Sequence, residues 1–85
     1  LRRLGRVIAF TGRRKLIVKS RFTPSLGASI YDRSGIKIGS VFDIFGSVKE
    51  PYVSISLDKG VEGASLVNCE VFVDVKKAKV RGRDG

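Results

Sequence analysis

Short apolar runs that alternate from side to side, each cut off by a turn residue, restrict the folds open to this chain more than any other feature. Val53, Ile55 and Leu57 oppose Tyr52, Ser54 and Ser56, and Val71, Val73 and Val75 alternate with Phe72 and Asp74. Near the start, Val7 and Ala9 oppose Arg6, Ile8 and Phe10. A period of two places successive side chains on opposite faces of an extended strand, whereas a helix repeats its apolar positions every three or four residues. The longest run, Lys37 to Phe45, puts Ile38, Ser40, Phe42 and Ile44 on one face and Val41, Asp43 and Phe45 on the other. That phase predicts a core position for Phe42. Lys15 to Lys19 and Ala28 to Asp32 complete a set of about six strands.

The connections carry the chemistry of turns. Gly12 supplies a hairpin turn, and Asp32-Arg33-Ser34-Gly35 has the Asp-first, Gly-last form of a type I turn. Gly46-Ser47 suits a two-residue type II′ turn. Asp58-Lys59-Gly60 turns the chain again, and Phe22-Thr23-Pro24-Ser25 reads as a loop because proline cannot donate to a ladder. Residues 61–68 fit either a loop or one short helical turn. Six short strands in an open sheet would leave two unpaired edges, and closure removes them. The expectation is an all-β domain over residues 1–75, a small six-stranded closed or split β-barrel. A basic tail, 76–85, is expected to fray.

Several function classes are poorly served by these residues. The chain has no histidine and a single cysteine, Cys69. It therefore lacks an imidazole base, a thiolate zinc site and an internal disulfide. The acids Asp32, Asp43 and Asp74 stand alone, and lone strand acids are most often structural. Gly60-Val61-Glu62-Gly63 has the letters of a GXXG loop, but its glutamate would repel phosphate. No apolar run approaches the ~20 residues of a membrane span. No catalytic residue, metal or cofactor is expected.

The net charge of +9 points instead to a polyanion nearby. Its distribution is uneven. Residues 1–23 hold eight basic residues and no acid, the stretch 24–60 is balanced at four of each, and 61–75 holds only Glu62, Glu70 and Asp74. Arg13, Arg14 and Lys15 at a hairpin tip are candidates to lie near RNA phosphate, or are simply a solvated turn. No aromatic pair is embedded in a basic strand, so base stacking is not indicated.

A longer pattern is more specific. Leu4-Gly5-Arg6-Val7, Leu16-Ile17-Val18 and Pro24-Ser25-Leu26 are followed by Gly39-Ser40-Val41-Phe42-Asp43-Ile44-Phe45-Gly46-Ser47-Val48 and Pro51-Tyr52-Val53-Ser54-Ile55. This order and spacing closely resembles the small GAR-type protein of box H/ACA ribonucleoproteins, whose hallmark is G-x-V-x-D-x-F-G-P-V-x-x-P-Y-V. Ser47 stands where that family usually has proline, and Asn68 where it commonly has glycine. Asparagine tolerates left-handed backbone. The resemblance covers roughly Leu4 to Asp74. It implies a split barrel similar to the second domain of translation elongation factors, and no enzymatic activity.

The resemblance further implies a dyskerin-type pseudouridine synthase as partner, with guide and substrate RNA in the same particle contacted mostly indirectly. The role implied is to assist substrate RNA loading and release. Location is expected to be cytoplasmic in an archaeon and nucleolar in a eukaryote, with no membrane. The neutral middle of the chain, and not its basic ends, has the character of an interface core. Val41, Asp43, Phe45, Gly46, Val48, Pro51 and Tyr52 are accordingly the expected partner-binding residues, with Phe45 and Tyr52 as anchors. Asp43 is expected to fix the adjacent turn. The competing readings are an assembly factor with the same barrel core and a direct RNA-binding or ribosomal barrel.

Overall fold

The computed structural model describes residues 1–75, so the expectation for a frayed tail at 76–85 falls outside the described residues. Six strands form in chain order: β1 (Arg2–Thr11), β2 (Lys15–Ser20), β3 (Ser29–Tyr31), β4 (Lys37–Gly46), β5 (Pro51–Leu57) and β6 (Glu70–Val73). They close into an antiparallel barrel in the order β1-β2-β5-β4-β3-β6. The first and last strands form one seam, with Arg2 opposite Val73 and Arg6 opposite Glu70. Residues 61–68, ambiguous in sequence, contain a 3-10 helix at Gly63–Leu66.

The interior is wholly aliphatic. Leu4 and Val7 from β1, Leu16 and Val18 from β2, Ile30 from β3 and Ile38 and Val41 from β4 meet Val53, Ile55, Leu57, Val71 and Val73 from β5 and β6. None of the seven aromatic residues is buried. A six-stranded barrel is narrow, and its inward positions are filled by branched aliphatic side chains. The rings are left at the rim or on the outside.

Register shifts interrupt the ladders at four places, and those on β1 and β4 change the sides of residues. The β1–β2 register shifts between Val7 and Ala9, which leaves Ile8 and Ala9 exposed and turns Phe10 onto the core. The β4–β5 register shifts between Val41 and Asp43. On β4 the β3–β4 pairing also skips Ile38, so Val41 points inward, 3% exposed, while Phe42, skipped in the β4–β5 pairing, points outward, 58% exposed. This reverses the expected sides of both residues. An extra residue in one strand of a pair breaks the period of two for everything beyond it.

The turns follow their sequence chemistry with one exception. Gly35 donates its amide to the Asp32 carbonyl at 3.0 Å, and Asp32 Oδ1 accepts from Ser34 and Ile36, completing the type I turn. Asn68 adopts φ +74, the left-handed geometry that its place in the pattern requires. The exception lies between β4 and β5, where the link is the four-residue loop Ser47–Glu50 and not a two-residue turn. Ser47 Oγ accepts the amides of Lys49 at 3.2 Å and Glu50 at 3.3 Å. A hydroxyl closing on its own loop replaces the stiffness that proline would give.

Candidate partner-docking face

The outer side of β2, β5 and β4 is built from three cross-strand rows. Lys15 stands opposite Ser56 and Ser56 opposite Ser40; Ile17 opposite Ser54 and Ser54 opposite Asp43; Lys19 opposite Tyr52 and Tyr52 opposite Phe45. In the last row the rings of Phe45 and Tyr52 stack with centroids 5.6 Å apart and planes 21° from parallel. Offset pairs of this kind are worth about 0.5–1.5 kcal/mol beyond the area they bury. Phe45 is still 46% exposed, and Val48, in the adjoining loop, is 85% exposed.

Two glycine and bulge features set this arrangement. Gly46 has φ +91, and a Cβ there would sit 3.1 Å from the Tyr52 ring. Only glycine both takes the backbone past the stack and leaves the ring its place. The bulge at Phe42 puts a third ring on the same outer side, beside Asp43. Asp43 Oδ1 accepts the Ile44 amide at 2.9 Å, so it braces the strand next to the bulge and not the turn beyond it.

Lysines from β2 lie over two of these rings. Lys15 Nζ is 4.5 Å from the Phe42 centroid, and Lys19 Nζ is 5.2 Å from that of Tyr52. Such contacts contribute about 0.5–1 kcal/mol at exposed sites.

Of the expected contact residues, the structure brings Asp43, Phe45, Gly46, Val48 and Tyr52 to this end of β4 and β5, all exposed except the half-buried Tyr52. Val41 and Pro51 are buried and offer no side chain to a partner. Their loss from the patch follows from the bulge and from Pro51 turning inward where β5 begins. Phe42, assigned by alternation to the core, takes Val41's place on the surface. The signal that could have found it is the run Val41-Phe42-Asp43, where one extra residue lets two neighbours share a side.

The basic hairpin tip is partly committed to the fold. The Arg14 guanidinium donates to the carbonyls of Asp58 and Val61, and the Leu57 amide donates to the Arg14 carbonyl at 3.1 Å. Arg14 thus straps the β1–β2 turn to the loop after β5. Lys15 reaches Phe42 and the Arg13 carbonyl. Arg13 is the member of the cluster whose side chain is exposed and makes no hydrogen bond, ion pair or ring contact among the described residues.

The profile of the Gar1/Naf1 RNA binding region matches residues 3–81. The chain belongs to the Gar1/Naf1 family. A protein of Methanothermobacter thermautotrophicus, itself described only as uncharacterized, is 30% identical over 86 aligned positions that cover 98% of this chain and 94% of the relative. Membership makes this a GAR-type protein related to box H/ACA ribonucleoproteins. The Gar1/Naf1 match spans the barrel from β1 through β6, so the aromatic face and the basic strands both lie within the family region.

Proposed function

We propose that this Gar1/Naf1 barrel is a non-catalytic subunit of an RNA-guided pseudouridine synthase complex, and that it docks on the catalytic subunit through the outer face of β4 and β5. The observation that carries the reading is that Phe42 and Phe45 are exposed on the outer side of β4, with Phe45 stacked on Tyr52 and Val48 exposed in the adjoining loop. Other exposed apolar residues, such as Leu26 and Ile36, stand singly on loops, as is normal for protein surfaces. Exposed rings held on one face of a sheet are what a protein partner uses as anchors.

Serving such an enzyme without chemistry of its own would mean holding the synthase in a state that loads and releases substrate RNA. Binding energy at a remote face can shift an equilibrium only by its difference between the two states. The test is co-purification of the chain with the synthase after nuclease treatment. A stable complex is expected without RNA, and capture that requires guide RNA would refute the docking mechanism. An assembly factor with the same barrel would leave the finished particle on gel filtration, whereas a subunit stays.

A further inference from the structure

At the end of the β1–β2 hairpin away from its turn, a cleft of about 490 Å³ opens between the two strands and the loop that follows β2. Arg2, Arg3, Arg6, Lys19 and Arg21 line it against one carboxylate, Glu50. This site is distinct from the aromatic docking face, although Lys19 borders both. We infer that the cleft is a binding site for the sugar-phosphate backbone of RNA.

The sequence builds the cleft from small and fixed parts. Gly5 lies in its wall, and a Cβ there would come within 2.2 Å of the Lys19 carbonyl oxygen. The absence of a side chain lets β1 and β2 approach while leaving space above them. Ser20 is buried, and its hydroxyl donates to the Phe22 carbonyl at 2.9 Å and accepts the Phe22 amide at 3.2 Å. That clasp fixes the corner after β2 and presents the Phe22 ring to Arg2, whose guanidinium lies 3.8 Å from the ring centroid.

A guanidinium stacked on a ring keeps its N–H groups in plane and free at the edge. It is pre-oriented for the paired hydrogen bonds that a phosphate accepts. Arg3 and Lys19 are each paired with an acid, Glu70 at 3.2 Å and Glu50 at 3.5 Å, but both pairs are well exposed and can be exchanged for phosphate at little cost. Arg6 and Arg21 have no ion pair among the described residues. Four of the five cations are arginines, the residue whose fork matches phosphate geometry. The hairpin tip, where Arg14 and Lys15 are held by the fold, is a poorer site.

The test is fluorescence anisotropy of a labelled oligouridine with the full chain, titrated over a range of salt. Arg6→Glu with Arg21→Glu should weaken binding about tenfold or more and reduce the salt slope by roughly 0.7 per lost phosphate contact. Arg33→Glu with Lys59→Glu makes the same change in net charge on exposed turns and should move affinity by less than about threefold. Equal losses in the two double variants would reduce the effect to net charge and overturn the inference. Polyglutamate bound as tightly as oligouridine, with the same sensitivity, would make this a site for an acidic protein and would also overturn it. Should the reversed-charge cleft protein melt early, Arg6→Gln with Arg21→Gln gives the same comparison at lower repulsion. Phe45→Ala should leave the RNA affinity unchanged, so failure here is separable from failure of the docking reading.

Discussion

The two sides of β4 and β5 use different residue classes. Inward, Ile38, Val41, Val53, Ile55 and Leu57 are aliphatic and buried. Outward, Phe42 and Phe45 are aromatic and exposed, and the half-buried Tyr52 stacks on Phe45. The usual expectation that rings anchor the core is inverted. On the proposed docking reading, stability and recognition fall on opposite faces of the same two strands, and a substitution on one side should leave the property of the other largely intact.

The sharpest way to break that contrast is from the inside. Ile55 is completely buried, and Ile55→Ala should cost about 2–5 kcal/mol in denaturant unfolding. Affinity of the remaining folded protein for the synthase should be unchanged; a parallel loss of affinity at full folding would mean the two faces are coupled. From the outside, Phe45→Ala should lower synthase affinity by about 2 kcal/mol, roughly thirtyfold, as an anchor residue does. Its stability should fall by no more than about 0.5–1.5 kcal/mol, the share of the lost ring stack. Equal losses in calorimetric binding and in stability would place Phe45 in the packing and not in the interface.

Gly46→Ala sits between the two classes. The left-handed φ and the contact with Tyr52 should together cost about 1 kcal/mol of stability and disturb the ring stack, visible as changed Tyr52 fluorescence. The smallest effect is expected at Lys37, whose ion pair with Asp58 at 3.0 Å is exposed. Lys37→Ala should change stability by no more than about 0.5 kcal/mol, and a larger shift in melting temperature would indicate that the β4 end is cooperatively held by that pair.

How far the sequence reveals this arrangement depends on which interactions are local. The strands are plain because alternation is a local property, and the Asp32–Gly35 turn is plain because its hydrogen bonds close within the same few residues. The bulges are not, because an extra residue is defined only against the partner strand. That is why Val41 and Phe42 exchange sides, and why Ala9 faces water while Phe10 packs inward. The Ser47–Glu50 loop is longer than Gly46-Ser47 suggests, because its closure by the Ser47 hydroxyl on the Lys49 and Glu50 amides has no mark in the sequence beyond a serine. The capture of Arg14 by carbonyls 44 and 47 residues away could not be read from a basic triplet. Phe45 and Tyr52 are the opposite case, where the aromatics on either side of Gly46 stand out in the sequence and pairing across the strands brings the rings together.

The seam between the first and last strands has an engineering consequence. Because Arg2 faces Val73, the two ends of the barrel lie side by side, and a short linker could join them without crossing any other element. Cutting the chain instead within the exposed Asp32–Gly35 turn would yield a circular permutant that retains every strand ladder. In such a molecule β4 and β5 would come at the start of translation, so the aromatic surface would be made before the strands that close the barrel behind it.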